Sequence, residues 1–450
     1  MHNLLSVSPF HILARGGGGG SSSGGSGGGG LLALVYAGGH VVGHFARRKV
    51  HGILSWIIVG LGIFAFCCLA LLGFSDTSGS ALSFYTVLAA LVGIIGILAG
   101  RFGWFDGITN RLKKGRAKAA QAAQTDSKFD TTTLIPQMKD LFIRFQNDWQ
   151  NFDTDSLQTY LTPRYFEHVR LQLAALYMMG RQNLVSNVQF YDVGVTDLTD
   201  TVSNDGDRVE IVFNAVAHDQ LIRTADQNVL MTDDSEFTEF WELDSTPDGR
   251  WLLDGIRQAT EDTYRLRDDI ATFARTNNLY YSPDWGRLLL PGRGELFSGA
   301  TFKTSDINNH CIGLYHNILI QLYTYQPIPN QQTYDKIIAQ VTVPKQYGRI
   351  LIRPKQNLLQ RPFSHPSGLN RLETEWQDFN QRYELWADHA EQVTTFELLQ
   401  PSYMEQLYGL PFTVTIEVVD NVIYLATDTT HGNYQGLMQC LIQAFTELKM

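Results

Sequence analysis

Two long apolar runs near the amino terminus dominate the hydrophobicity pattern of this chain. Residues 53–74 and 81–100 contain no charged side chain. At a helical rise of about 1.5 Å per residue, each run is long enough to cross the roughly 30 Å hydrocarbon core of a bilayer. The polar connection between them, residues 75–80, has Asp76 as its charged residue. The pattern therefore predicts a transmembrane helical hairpin.

Basic residues flank this predicted hairpin at both outer ends. Arg47, Arg48 and Lys49 precede it, and Arg101 follows it. Loops rich in Lys and Arg stay on the cytoplasmic side of a membrane. We therefore expect a multi-pass protein of the cytoplasmic (inner) membrane whose carboxyl-terminal domains are cytoplasmic.

The segment that follows the hairpin, residues 101–130, is predicted to be a basic juxtamembrane linker. Anionic lipid head groups attract such cations close to the membrane surface. We therefore expect lipid head-group contacts from five residues of this linker: Arg111, Lys113, Lys114, Arg116 and Lys118.

The rest of the chain is acidic. The sequence has 45 acidic and 35 basic residues, of which the first 125 positions hold two and ten. The remainder therefore has 43 acidic and 25 basic residues, a formal charge of −18. This charge disfavours nucleic-acid binding, because no basic face is evident. The same charge is repelled by anionic lipids, so lipid attachment is expected from the hairpin and the basic linker.

Two further segments precede the hairpin. Residues 1–30 include an unbroken Gly/Ser tract and are predicted to form a disordered tail. Residues 31–46 are apolar but short, so they either form another membrane segment or lie at the interface. His40 and His44 share a helix face there, yet two histidines without a third ligand more often are polar residues near a membrane boundary.

The four cysteines form neither a disulfide framework nor a zinc motif. Cys67 and Cys68 lie within the first apolar run, and Cys311 and Cys440 are isolated from each other along the chain. The absence of a CxxC pair favours a reducing compartment and disfavours a structural zinc site.

Residues 131–260 change from a helical to a strand pattern. Apolar positions within 138–152 fall at steps of three and four, and Thr162 followed by proline is the start signal of a second helix. Between 209 and 217 the period becomes two, and a Pro-Asp-Gly turn then separates two more strands. Helices followed by an antiparallel meander indicate an α+β domain.

This domain resembles the Tim44-like family, which is named after a tether subunit of the mitochondrial import translocase and has bacterial members. The resemblance rests on the helix at 134–149, the strands at 240–243 and 251–256, and the preceding Gly-rich tract and anchor. It implies a cone-shaped α+β fold similar to nuclear-transport-factor-two and cystatin-like domains, with a curved sheet and helices around an apolar pocket. It also implies a membrane-associated scaffold or adaptor rather than an enzyme.

Large aromatic side chains are the candidates for the wall of such a pocket. Core packing is the more common explanation of such residues, and a ligand or peptide pocket is the alternative. The ligand-pocket candidates are Trp241, Trp251, Phe213 and Trp149.

The polar residues of this domain give no catalytic signature. The carboxylates between Asp233 and Asp244 follow strand periodicity, which favours a solvated strand face over a calcium site. His218 and Asp219 are neighbours on a strand, so their side chains point to opposite faces and cannot form a dyad. With neither a phosphate loop nor a nucleophile elbow in the sequence, we expect no catalytic residue, metal or cofactor, and no enzymatic activity.

Residues 262–450 are predicted to form a second α+β domain. Long strands are expected at 295–302 and 311–323. Shorter strands are expected at 337–343 and 350–352, with residues 344–348 as a separator between them. A hairpin about Asp420 and Asn421 then precedes a final helix. Residues 380–427 resemble an uncharacterised bacterial family of membrane-tethered domains, which brings no known activity.

These observations predict a membrane-anchored cytoplasmic scaffold whose Tim44-like domain binds a protein partner, with protein translocation and envelope assembly as candidate processes. The alternative is lipid or small-molecule binding, or pocket catalysis, in the apolar cavity of residues 131–260. Homo-oligomer formation is a further expectation.

Overall fold

The computed structural model describes eleven stretches of the chain, and they fall into two compact units. One unit ends at Thr131 and includes Gly194–Leu198, and the other comprises Thr132–Val193 and Thr199–Met450. The predicted tail (1–30), the connection 75–80, and His40 and His44 lie outside the described residues. The described stretches are 35–36, 42, 58–67, 81–102, 107–259, 267–282, 294–297, 307–325, 336–355, 366–428 and 432–448.

In the first unit, a helical segment at 58–67 packs on helix α1 (Ala81–Phe102). A Cβ atom on Gly93 would lie 2.2 Å from the Phe66 ring, so glycine permits the close approach. Ile97 is fully buried at this contact. Within the described ranges, no helix has both the length and the hydrophobicity that crossing a bilayer requires. The transmembrane hairpin stays a prediction.

Helix α2 (Gly107–Ala122) of the same unit packs on residues 194–198 through small side chains. Leu112 is buried, and a Cβ on Gly115 would lie 2.1 Å from the carbonyl oxygen of Val195. The buried face of α2 therefore requires glycine at this position.

The second unit begins with three helices and a five-stranded sheet of order β1-β2-β4-β5, in which β3 also pairs with β2. The pairs among β2, β3, β4 and β5 are antiparallel. The helices are α3 (Thr131–Gln150), α4 (Thr154–Gln158) and α5 (Pro163–Met178), and the strands are β1 (Arg181–Thr199), β2 (Arg208–Arg223), β3 (Val229–Asp233), β4 (Glu236–Ser245) and β5 (Trp251–Gln258).

Most elements of this part agree with the sequence pattern. The predicted apolar face of α3 is buried, and Thr162 caps α5 by accepting a hydrogen bond from the Tyr165 N–H at 3.3 Å. The turn between β4 and β5 has Gly249 at φ 81°, in the left-handed region that favours glycine. The α+β class with an antiparallel sheet is confirmed. Strands β1 and β3 were not predicted.

A second, seven-stranded sheet follows, with the order β10-β11-β9-β8-β7-β6 and with β12 paired to β9. Its helices bury one face of the sheet in an apolar core. Its elements are α6 (Asp268–Thr276), β6 (Tyr280–Ser282), β7 (Ile307–Tyr315), β8 (Ile318–Tyr325), β9 (Lys336–Pro354), β10 (Asn370–Leu372), α7 (Gln377–Arg382), β11 (Tyr383–Ala387), α8 (Gln392–Leu398), α9 (Pro401–Gly409), β12 (Thr415–Asp428) and α10 (Tyr434–Leu448).

The prediction of one long strand over 311–323 is wrong. The run divides into β7 and β8, which are joined by a two-residue turn in which His316 and Asn317 have φ of 50° and 61°. Two consecutive residues at positive φ match the right-handed twist of a hairpin. Of the predicted strand at 295–302, residues 295–297 form a bend and turn, and the others lie outside the described residues.

The predicted hairpin about Asp420 and Asn421 is also wrong, as is the separator at 344–348. Strand β12 runs through both residues and pairs with β9 on either side of them. The register shifts on both sides of Asp420, whose φ is 57°, because Asp420 pairs with Tyr347 and Val422 pairs with Thr342. The extra residues lie in β9, so the irregularity is a bulge of β9 opposite Asp420. Residues 344–348 therefore lie within β9 (Lys336–Pro354) and do not separate two strands.

Candidate functional site

A cavity of about 420 Å³ lies in the second unit, between α3, α5 and the first sheet. Tyr281 and Ser282 of β6 also line it, so both sheets of this unit contribute to its wall. Its aromatic lining comes largely from one face of α3, where residues three and four positions apart are neighbours.

Phe142, Phe145 and Trp149 of α3 line the cavity together with Phe237 of β4. Trp241 is fully buried against them, with ring centroids 5.1 Å from Phe142 and 5.4 Å from Phe145. One side of the cavity is therefore a packed aromatic wall.

The four predicted pocket residues occupy three different environments. Trp149 lines the cavity. Trp241 and Phe213 lie fully buried in the core, with their ring centroids 5.1 Å apart. Trp251 is half-buried at the start of β5, opposite Ser245, and does not line the cavity. A ligand contact by any of these residues stays a prediction.

Glu239 lies on the cavity wall beside the aromatic cluster. One of its oxygens accepts a hydrogen bond from the Trp241 indole N–H at 2.9 Å, and the other accepts one from the Gln258 amide at 2.8 Å. Burial raises the pKa of Glu239, and the negative charge of Asp219 raises it further. Both hydrogen-bond donors are neutral, and they counteract this rise only in part.

Other carboxylates that the strand pattern assigned to a solvated face also reach the cavity. Asp233 and Glu242 line it, whereas Asp234 binds His218 Nδ1 at 2.7 Å. Asp219 faces the cavity and accepts a hydrogen bond from Asn183. The alternation of β2 thus separates His218 from Asp219 as expected. Glu239 shares the strand face of Phe237 and Trp241, so it lies beside the aromatic wall, which the spacing of the carboxylates alone did not show.

The two arginines of the wall are each paired with a carboxylate. Arg164 at the start of α5 binds Asp254 at 2.9 Å. The Arg257 Nε donates to Glu242 at 2.7 Å, and its Nη2 donates to Glu210. These pairs fix the guanidinium groups at the edge strand of the sheet.

His168 is half-buried on the other side of the cavity. Its Nε2 lies 3.2 Å from the Gln172 amide nitrogen, and its ring stacks on Tyr280 of β6 at a centroid distance of 5.4 Å. Burial, with a contribution from Arg164, lowers the pKa of His168 to about 4. The imidazole is therefore neutral at pH 7.

The predicted lipid-contact residues share helix α2 in the first unit. Lys113, Lys114, Arg116 and Lys118 are exposed, and Arg111 is half-buried. Lys118 Nζ lies 2.6 Å from Asp197 and lowers the pKa of that carboxyl group through its hydrogen bond. The helix has no acidic residue. Contact with lipid head groups stays a prediction.

Comparison with known families identifies the part of the chain that contains the first sheet. Residues 116–258 match the family model described as the Tim44-like domain. The chain therefore carries a Tim44-like domain, and the resemblance of its helix and strand segments is confirmed. No curated protein matches the chain.

Two solved structures match part of this chain. The mycobacterial trehalose monomycolate transport factor A, TtfA, is 10% identical over 40% of this chain and 93% of its own, with a TM-score of 0.32. The intermembrane space region of the chloroplast protein ARC6 is 16% identical over 25% of this chain and 88% of its own, with a TM-score of 0.20. Neither superposition is close enough to indicate a function.

Proposed function

We propose that this chain is a membrane-anchored binding protein that holds its ligand in the cavity of the Tim44-like domain. The cavity is the observation that supports this role. Its volume of about 420 Å³ lies within the roughly 300–1,000 Å³ of known ligand sites, and it combines an aromatic wall with a few convergent polar groups.

Binding rather than catalysis is proposed because the buried titratable groups of the wall contact an indole and two amides. Glu239 accepts hydrogen bonds from Trp241 and Gln258, and His168 contacts Gln172. A general base needs to reach the proton that it removes, and a nucleophile needs an adjacent base. The hydrogen-bond partners of Glu239 and His168 include neither a nucleophile nor a base.

A ligand that copurifies with the protein tests this role. We expect native mass spectrometry of full-length protein from its own membrane to detect a bound small molecule. Trp149→Ala removes part of the wall and should lower the occupied fraction severalfold. Trp251→Ala is the matched control, because Trp251 lies outside the cavity, and it should leave occupancy unchanged. Equal occupancy in both variants, or no ligand in any of them, would contradict the proposal.

The membrane anchor of this proposal is the predicted hairpin of residues 53–100. Support comes from the outer faces of the helical segment 58–67 and helix α1, where large apolar side chains are exposed. Exposed apolar surface of this kind marks a membrane or protein contact. The side chains are Leu61, Phe64, Leu91 and Ile95. Extraction of the protein by alkaline carbonate would overturn the predicted anchor. Digestion of its carboxyl-terminal half by protease added to intact cells would overturn the predicted orientation.

A scaffold role for a protein partner is the second candidate. It is favoured by Tyr177 and Met178 at the end of α5, whose side chains are 74% and 42% exposed. Aromatic and methionine side chains are enriched at protein interfaces. Partner capture from detergent extracts that falls with Tyr177→Ser and persists with Trp149→Ala would support the scaffold over the cavity. Light scattering of the purified chain tests the expected homo-oligomer.

A further inference from the structure

A four-residue segment, 294–297, docks on the seven-stranded sheet without the geometry of a strand. Its residues form a bend and a turn. Leu296 and Phe297 are nevertheless buried, with side chains that are 7% and 5% exposed. Contacts other than strand pairing therefore hold this docked segment in place.

Glu417 of β12 binds the backbone of the docked segment. One of its carboxylate oxygens accepts a hydrogen bond from the Glu295 N–H at 2.7 Å, and the other accepts one from the Leu296 N–H at 2.8 Å. Glu417 is fully buried. An amide side chain has one acceptor oxygen, so a carboxylate is needed to receive the two N–H groups on separate oxygens.

Gly294 fits directly against the same carboxylate. Its φ is 128°, a backbone conformation that residues with a side chain rarely adopt. A Cβ atom at this position would lie 3.0 Å and 3.1 Å from the two oxygens of Glu417. The close approach of backbone and carboxylate therefore selects glycine.

Phe297 is the side-chain anchor of the docked segment. Its ring centroid lies 5.0 Å from that of Tyr325 on β8 and 5.2 Å from that of Tyr424 on β12, with interplanar angles of 59° and 72°. Tilted and edge-to-face arrangements of this kind are favourable for aromatic pairs. A buried aromatic anchor in a fitted slot is also the usual energetic centre of a binding interface.

Arg349 of β9 joins the two sides of this contact. Its Nη2 lies 3.5 Å from an oxygen of Glu295 in the docked segment and 3.5 Å from an oxygen of Glu417 on the sheet. A buried carboxylate is costly unless hydrogen bonds and a counter-charge compensate it. The docked segment supplies two of those hydrogen bonds, so Glu417 and the segment stabilise each other.

We propose that Glu417, Tyr325 and Tyr424 form a docking site for a short peptide, which the chain's own residues 294–297 occupy. Main-chain hydrogen bonds supply affinity and a side-chain pocket supplies specificity, as in other sites that bind extended peptides. The site recognises glycine, then two residues that donate their N–H groups, then phenylalanine. A partner with this pattern competes with the docked segment, which is therefore autoinhibitory.

Competition with a free peptide tests this inference. A tethered ligand competes at an effective concentration of about millimolar, so the native protein should exclude a free peptide of the same sequence. Phe297→Ala removes the internal anchor. In isothermal titration of the full-length protein in detergent, we expect this variant to bind capped Gly-Glu-Leu-Phe at least about tenfold more tightly than the native protein does.

The control peptide is capped Gly-Glu-Leu-Ala, which lacks the anchor and should bind neither protein. Equal binding of the phenylalanine peptide by the native protein and by Phe297→Ala would overturn the inference. Absence of binding to Phe297→Ala would also overturn it.

A second substitution in the Phe297→Ala background locates the peptide. Adding Glu417→Gln should abolish the tenfold gain, because glutamine offers one acceptor oxygen to the two N–H groups. Adding Glu405→Gln instead is the matched control, since Glu405 is exposed on α9, and the gain should persist. Loss of the gain in both double variants, or in neither, would overturn the assignment of Glu417.

Hydrogen exchange of the single variant Glu417→Gln tests the docked segment without a peptide. We expect severalfold faster exchange in a fragment that contains residues 294–297, and unchanged exchange across α10, which lies in the apolar core of the sheet. Equal acceleration in both regions would show that the segment is an integral part of the core and would overturn the inference. Unchanged exchange at residues 294–297 would contradict the role of Glu417.

Discussion

Two histidines of the second unit are held neutral where the halves of that unit meet. His168 stacks on Tyr280, and His310 on β7 is fully buried and lies 3.0 Å from the Gln321 amide oxygen through Nε2. Burial lowers the pKa of His168 to about 4 and that of His310 to about 3, and the charge of His168 lowers the latter further. Protonation of either residue therefore opposes folding.

We expect acid to destabilise the protein through these histidines. The unfolded chain takes up a proton near the ordinary histidine pKa of about 6.5, whereas the folded chain does not until pH 4 or below. Stability is thus fully present above pH 6.5 and falls as the pH decreases towards 4. For His168 the loss is at most about 3 kcal/mol.

Thermal unfolding at pH 7.5 and pH 4.5 measures this effect. His168→Gln should reduce the fall in melting temperature between these two values. His389→Gln is the control, because His389 is exposed, and it should reproduce the wild-type profile. Identical profiles for all three proteins would show that His168 does not carry the effect.

At the scale of elements, the local sequence pattern predicts the helices more accurately than the strands of the second sheet. The buried stripe of α3 and the cap of α5 depend on neighbours within a few residues, so the sequence predicts them. The bulge opposite Asp420 depends on whether β9 continues to pair beyond it, which no local pattern records. The same limit explains why Glu239 was assigned to a solvated strand face. Its environment is set by α3 and α5, which are distant in sequence.

Helix α2 provides a test of lipid attachment. Each Lys or Arg near an anionic surface contributes about 1 kcal/mol, so Lys113→Glu together with Lys114→Glu should lower binding to phosphatidylglycerol vesicles by more than about tenfold at low salt. Flotation of a chain that starts at residue 101 measures this directly. The exposed pair Lys345→Glu and Lys355→Glu is the control for net charge. Equal losses in both double variants would show that α2 is not the contact.

The glycine face of α2 gives a second prediction at this scale. Gly115→Ala places a Cβ 2.1 Å from the carbonyl oxygen of Val195. Overpacking of this kind costs about 1–3 kcal/mol. We expect faster hydrogen exchange across residues 107–122. Gly409→Ala at the end of α9 meets nothing within 4 Å and should leave exchange unchanged. Unaltered exchange in Gly115→Ala would mean that the helix can shift without cost.

At the scale of the whole second unit, the predicted domains 131–260 and 262–450 are joined by direct contacts. The Asn421 amide donates to the carbonyl oxygen of Met178 at 2.6 Å, and the Gln340 amide lies 3.7 Å from the sulfur of Met179. Asn421 of β12 lies opposite the bulge in β9 and contacts the end of α5. This could not be predicted from the sequence, because 243 residues separate the two partners.

We expect these contacts to make the two halves unfold together. Asn421→Ala removes the hydrogen bond to Met178 and leaves a polar group near the junction without this partner, at a cost of about 1–3 kcal/mol. Calorimetry should show one transition for the wild-type unit and a broadened or divided one for the variant. Asn433→Ala is the control, because Asn433 caps α10 by accepting a hydrogen bond from the Gly436 N–H within one half. It should lower the melting temperature and leave a single transition. A divided transition in the wild type would contradict the expected coupling.

The contribution of Tyr281 and Ser282 to the cavity wall has a further consequence. A molecule that occupies the cavity touches both sheets at once, so its affinity includes the free energy of holding them together. By mass action, such an occupant stabilises the joined arrangement and disfavours any state in which the sheets separate. The filled protein should therefore resist proteolysis near residue 260, where the chain passes from one sheet to the other.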